Sequence, residues 1–304
     1  MSDHLRGIFP VLQTPVDSQG QLDQTSLQSE VVFCIAAGAH GLVYPVLGSE
    51  FQFLSDRERR ELVGVVIQAA AGRVPVVVGV AGPSAAVAVE HAAHAAGIGA
   101  SALIALPPYL SAASTEEVLA YFQAISRAAP LPIFVQNSAP GLSPAVLLRL
   151  LREVEQVRYI KEEMAPSAHH ISAVVTALGQ DSWGVFGGAF GRWMLSELRR
   201  GASGFMPAAE VTDVYVQIWE AFQAGDEPAA RQIFNRLLPL INLLLLLGLP
   251  VCKEVLVRRG VFQAAGMRTP GSLALDADDQ RELSMILDDL RPLFRVKGDE
   301  HEDH

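Results

Sequence analysis

Cysteine is scarce in this chain: Cys34 and Cys252 are the only two, and they lie far apart. Such a pair is neither a disulfide framework nor a metal-ligand spacing, and it fits a reducing compartment. Lysine is almost as rare, with Lys161, Lys253 and Lys297 standing against 20 arginines. The 23 basic and 33 acidic residues leave a net charge of −10. There is no basic stripe, which argues against nucleic-acid binding by phosphate neutralisation. Charged residues make up only 18% of the 304 positions and hydrophobic ones 50%. That balance excludes global disorder and suits one large, well-buried unit.

The opening MSDHLRGIFP lacks the charged-then-apolar plan of a signal peptide, so a cytoplasmic location is expected. The longest apolar run, LLPLINLLLLLGLP at 237–250, is interrupted by Pro239 and Asn242. It falls short of the ~20 residues that span a bilayer. A buried or subunit-facing helix is expected there, and no membrane partner. His91 and His94, three apart on an alanine-rich stretch, read as a surface or interface face. No ligand set of the usual spacing appears elsewhere, so no metal is expected.

What is present is a repeating pattern. Apolar runs lie at 7–16, 40–46, 74–81, 101–108, 131–138, 157–163, 183–188 and 203–208. Several show no alternation, as in strands buried on both faces. Helical periodicity separates them at 23–37, 56–71, 84–96, 115–128 and 143–154, and after 167 and 189. Asp23, Ser55 and Ser143 stand as N-caps, and Pro144 follows at a first helical position. Eight strands alternating with helices predict a parallel (β/α)8 barrel. An open doubly wound sheet would usually carry a glycine-rich phosphate turn after its first strand, and LQTPVDSQG is not one. The expected division is a catalytic barrel over 1–224, a helical C-terminal extension over 225–296, and a solvated tail over 297–304.

Lys161 sits in VRYIKEE, inside a predicted barrel strand. Burying an ammonium there is costly, and a lowered pKa would free the amine to attack a ketone. The competing reading is a buried ion pair. Side chains at i and i+2 share a strand face, so Glu163 should lie beside Lys161 and Glu162 opposite. Glu163 is then either a proton carrier or simple charge compensation.

These residues lie in a chain that resembles the dihydrodipicolinate synthase / N-acetylneuraminate lyase family. The resemblance runs through GIFPVLQTPVDSQGQLD, GLVYPVLGSEFQFLSDRER, GRVPVVVGV, LPPYL, LPIFVQNSAP, YIKEE and GASGF, nearly the whole chain. It implies a (β/α)8 barrel with C-terminal helices, a homo-oligomer (tetramer or dimer), and an imine between Lys161 and a 2-oxo acid such as pyruvate. No cofactor is implied, since the imine nitrogen serves as the electron sink.

The departures shape the functional expectation. The family's carboxylate-binding turn, usually glycine, two threonines, glycine, glutamate, matches Val46-Leu47-Gly48-Ser49-Glu50. Gly48 and Ser49 are the candidates for holding a substrate carboxylate there. Gln136 stands where the family usually has a proton-relaying tyrosine, Leu47 replaces the linking threonine, and Leu110 replaces a second tyrosine. Pro140-Gly141 occupies the place of an arginine that grips the synthases' aldehyde substrate. A closer likeness is to the 2-keto-3-deoxy-sugar-acid dehydratases, L-2-keto-3-deoxyarabonate dehydratases especially. It rests on Gln136-Asn137, Ser49-Glu50, Glu155-Gln156-Val157 and Pro239 to Asn242.

The expected activity is therefore dehydration or aldol cleavage of a 2-keto-3-deoxy acid. Lys161 would form the imine and Glu163 would move protons. Gln136 and Asn137 would orient water or hydroxyls. Gly187 and Gly188 would let substrate approach the backbone, and Phe205 would wall the imine or belong to the core. The alternatives are a synthase with a rewired relay and a non-catalytic 2-oxo-acid-binding regulator.

Overall fold

Strands form where valine, isoleucine, leucine and aromatic residues run together, and helices form where a capping side chain opens an apolar periodicity. The computed structural model describes residues 4–17, 19–179 and 184–296. The tail over 297–304 lies outside the described residues. The strands are β1 (Gly7–Ile8), β2 (Leu42–Tyr44), β3 (Val76–Gly79), β4 (Ala102–Ala105), β5 (Ile133–Asn137), β6 (Val157–Glu162), β7 (Gly184–Gly187) and β8 (Gly204–Phe205). Between and after them lie α1 (Gln24–Ala36), α2 (Asp56–Ala70), α3 (Ala85–Gly97), α4 (Thr115–Ala128), α5 (Pro144–Glu153), α6 (Ser167–Leu178), α7 (Met194–Leu198) and α8 (Thr212–Gln223). Three further helices follow: α9 (Glu227–Leu247), α10 (Leu249–Arg258) and α11 (Ala277–Leu290).

The eight strands pair in parallel, in the order β1-β8-β7-β6-β5-β4-β3-β2. Val11 bridges both Val43 and Ala208, which closes the ring into a (β/α)8 barrel. β1 is short because Pro10 has no N–H to give, yet the ladder continues from Phe9 to Phe205 O (2.8 Å) and from Val11 to Pro207 O (2.7 Å). The caps form as the sequence indicates. Asp23, Ser55 and Ser143 accept from Ser26, Glu58 and Val146 N–H.

The pleat divides the core in two. Phe9, Val11, Val43, Val77, Ala102, Ile104, Phe134, Tyr159, Phe186 and Met206 fill the barrel interior. Ile8, Leu42, Val76, Val135, Ile160, Val185 and Phe205 face the surrounding helices. Phe134 stacks on Tyr159 at 4.3 Å, and Phe186 meets both edge-on, so aromatic rings plug the barrel axis. The residues one pleat further along β5 and β6 therefore form the floor of the C-terminal mouth.

α9 is long and apolar enough to cross a membrane by length and composition. Its Phe234, Leu237, Leu240, Ile241 and Leu244 are instead packed into the core, against neighbours that include α8, α10 and α11. The expected boundary at 224/225 falls in the turn between α8 and α9, and one hydrophobic cluster runs across it. His91 and His94 correct the expectation of an outward face. His91 is 5% exposed and meets Asp56 Oδ1 at 3.0 Å, while His94 meets Arg60 O at 3.3 Å, so both turn inward onto α2.

Candidate functional site

The inward parity that begins with Phe134 and Tyr159 continues to Gln136 on β5 and Lys161 on β6, which are paired in register. Glu163 follows just past the end of β6. All three line a cavity of about 280 Å3 at the C-terminal mouth, with Gln13, Leu47, Gly48, Phe190 and Leu249. A larger cavity, about 430 Å3, opens among His4, Arg6, Ser203 and Gln223. It contains no nucleophile resembling Lys161, and barrel chemistry belongs at the other end.

Lys161 is 4% exposed, and its ammonium lies 3.1 Å from Glu163 Oε1. Glu163 is held from every side. Gln136 Nε2 donates to Oε2 at 3.0 Å, Ser138 Oγ donates to the same oxygen, and Ala189 N–H donates to Oε1 at 3.0 Å. Burial works to raise the Glu163 pKa. The Lys161 charge and these three donors outweigh it and hold the carboxyl down at about 2. The free site thus contains an ionised carboxylate at proton-transfer distance from Lys161, the one amine among the described residues that line the cavity. The cavity is otherwise lined mainly by apolar side chains, Val11, Leu47, Phe190, Met206 and Leu249 among them.

The other expected residues are placed differently. Asn137 has the opposite parity to Gln136. Its side chain accepts from Leu142 N–H (2.7 Å) and donates to Leu142 O (3.2 Å) and Glu162 (2.9 Å), so it braces the loop after β5 outside the cavity. Gly48 lines the cavity, but Ser49 does not. The Ser49 hydroxyl donates to Leu12 O (2.6 Å) and its N–H to Val46 O (2.8 Å), so one donor is spent on the first strand's extension and the other on the turn. Phe205 faces outward into the core between sheet and helices.

The two glycines make room for protein groups rather than for a ligand. A Cβ on Gly187 would collide with Glu197 Oε2 and the Phe205 ring. One on Gly188 would lie 2.5 Å from Glu163 Cγ and Oε1. Leu110 is 74% exposed and lies outside the cavity.

Several participants escape the sequence reading. Gln13 signals itself only as a lone amide in the apolar run GIFPVLQTPV. Ser138 and the Ala189 N–H bond the carboxylate from loops. Leu249 reaches the cavity from the C-terminal extension. Behind Leu47 and Gly48, Glu50 and Lys253 form a fully buried ion pair at 2.5 Å.

Over residues 4–290 the chain matches the Dihydrodipicolinate synthetase family. It is 32% identical over 295 residues to an L-2-keto-3-deoxyarabonate dehydratase of Azospirillum brasilense, with 95% of each chain covered. It is 29% identical over 241 residues to a probable 2-dehydro-3-deoxy-D-pentonate aldolase of Escherichia coli K12, covering 77% of this chain and 80% of that one. A prophage protein of the dihydrodipicolinic acid synthase family from Escherichia coli K12, crystallised in complex with pyruvate, matches with a TM-score of 0.87 at 25% identity. That match covers 95% of this chain and 98% of the other. The chain belongs to the dihydrodipicolinate synthetase family and is an enzyme of the lyase class.

Proposed function

We propose that the enzyme forms an imine with a 2-oxo acid through Lys161, and that it dehydrates a five-carbon 2-keto-3-deoxy sugar acid. The observation that carries this reading is the Lys161–Glu163 pair at 3.1 Å on the floor of the mouth cavity. An ammonium cannot attack a ketone, so the amine must first lose its proton, and Glu163 is the group placed to relay it. Proton transfer frees the amine. Its nitrogen adds to C2, and loss of water from the carbinolamine leaves the imine. The cationic nitrogen acidifies C3, a base removes one C3 proton, and the enamine expels the C4 hydroxyl. That hydroxyl leaves as water when it takes a proton from the carboxyl that received one. Hydrolysis of the imine then returns Lys161.

Gln136 cannot titrate, so its amide supports an orienting role: it holds Glu163 at 3.0 Å. Gly48, on the turn lining the cavity, is the candidate contact for the C1 carboxylate. Condensation with a second acidic substrate is less well supported. Among the described residues that line the cavity, Lys161 is the one cation, so no arginine waits for a second carboxylate. Cleavage of C3–C4 in the imine, with the C4 hydroxyl losing its proton to become the aldehyde and the bond's electron pair forming the enamine, is the second reading, favoured by the likeness to a pentonate aldolase.

Borohydride with pyruvate or a 2-keto-3-deoxypentonate should add the mass of the reduced ligand at Lys161. Mass analysis of products without borohydride separates loss of water from release of pyruvate and an aldehyde. No adduct, together with unchanged turnover in Lys161→Ala, would reject imine catalysis.

A further inference from the structure

Gln13 follows Phe9 and Val11 on the inward side of the first strand's extension, one pleat nearer the mouth. It is fully buried and lines the same cavity as Lys161. Its backbone N–H is taken by the Glu30 carboxyl oxygens at 2.9 and 3.1 Å. Its side-chain Nε2 donates to Val11 O at 3.2 Å. A main-chain carbonyl only accepts, so this contact fixes which end of the amide is nitrogen. Among the described residues, Oε1 is left with no hydrogen-bond partner.

A buried carbonyl oxygen without a donor is unfavourable, and a leucine at this position would avoid that cost. The neighbouring acceptors are already used. Glu163 Oε1 is occupied by Lys161 and Ala189, and Oε2 by Gln136 and Ser138. We propose that Gln13 Oε1 accepts a hydrogen bond from a substrate hydroxyl beyond C3. Gln13 then makes the site selective for hydroxylated 2-oxo acids. A carbonyl oxygen attracts an alcohol and repels a carboxylate, so the same atom discriminates against a second acid group. The assignment rests on the imine reading above and specifies the substrate class that this site accepts.

Gln13→Met keeps an unbranched side chain of similar length and removes the acceptor. On a 2-keto-3-deoxypentonate its kcat/KM should fall roughly 10- to 100-fold. Borohydride trapping of pyruvate, which has no hydroxyl, should stay within about twofold of wild type, because the lost contact is specific to the hydroxyl. Undiminished turnover of the pentonate would overturn the assignment. So would a parallel loss with both ligands, since that marks a scaffold role.

A second measurement needs no variant. On the wild-type enzyme, 2-keto-3-deoxypentonate should compete with pyruvate trapping at least tenfold better than 2-oxopentanoate, which has the same carbon chain without hydroxyls. Equal competition would count against Gln13 as a hydroxyl acceptor. Failure to trap pyruvate on the wild-type enzyme would remove the imine reading itself, and the hydroxyl assignment with it.

Discussion

Gly188 has no space for a methyl group, because the Glu163 side chain fills the position that a Cβ would take. This makes it a sensitive probe of the carboxylate's placement. Gly188→Ala should push Glu163 away from Lys161 and lower kcat roughly 100-fold, the cost of about 1 Å of misplacement at a reacting group. The melting temperature should move little by comparison, since the carboxylate can swing into the cavity. Wild-type turnover in this variant would mean that the ion pair is not part of the chemistry. The same scale shows what was legible in the site. Pleat parity read forward from Lys161 assigns Glu163 inward and Glu162 outward, and the structure agrees. Applied to Gln136-Asn137 and to Phe205-Met206, that rule also turns Asn137 and Phe205 away from the cavity. Their exclusion was therefore available from the sequence. The Ser138 and Ala189 contacts were not, because they depend on loop conformations; Ala189 itself adopts φ 48°.

At the scale of elements, the cavity wall is held by a link that runs from one end of the chain to the other. Glu50 adopts φ 58° after the turn Leu47–Ser49 and is 1% exposed. Its carboxylate accepts from Lys253 on α10, from the N–H groups of Arg268 (2.9 Å) and Thr269 (2.7 Å), and from Thr269 Oγ1 (2.7 Å). Lys253 also donates to Gly266 O at 2.7 Å. The turn carrying Leu47 and Gly48 is thus tied to the extension that supplies Leu249. Lys253→Met removes one partner and leaves a buried carboxylate uncompensated, which should cost about 3–5 kcal/mol in denaturant unfolding. The double variant with Glu50→Gln should lose at least ~1 kcal/mol less than the two single losses together. Strict additivity would mean that the two groups do not act as a pair. The sequence hid this link, because Lys253 and Glu50 lie 203 positions apart. The repeating units themselves were legible, since each strand and its capped helix are coded locally.

At the scale of the molecule, the barrel pays for its polar mouth with acids buried around it, and these set how stability depends on pH. Burial raises Glu197 to about 7, helped by the nearby Glu162 and Glu163 charges and opposed by a hydrogen bond from Ser167. Burial likewise raises Glu210 to about 7, opposed by its own backbone N–H, the Cys252 thiol and the Arg259 charge. Glu30 is raised well above the ordinary carboxyl value, again by burial. Such groups stay protonated in the fold after the unfolded chain has released its protons near pH 4.5. Their contribution is complete below that value and is lost as pH rises towards 7.

Other groups act the opposite way, His91, His40 and Glu163 among them. His91, lowered by burial to about 4, stabilises the fold as pH rises from 4 to 6.5. Glu163, at about 2, is destabilising only as pH falls below 4.5. Four acids raised by burial (Glu30, Glu162, Glu197 and Glu210) against two histidines lowered by it (His40 and His91) leave a net decline in stability between pH 4.5 and 7. Each acid contributes a slope of about 1.4 kcal/mol per pH unit within its window. Glu197→Gln keeps the acceptor for Ser167 while removing the proton, and Glu210→Gln removes the second. Together they should flatten the decline by up to about twice that slope, read from unfolding curves at successive pH values. An unchanged slope in the double variant would show that these carboxyls are ionised in the folded protein, and that the polar ring behind the mouth is better solvated than its burial implies.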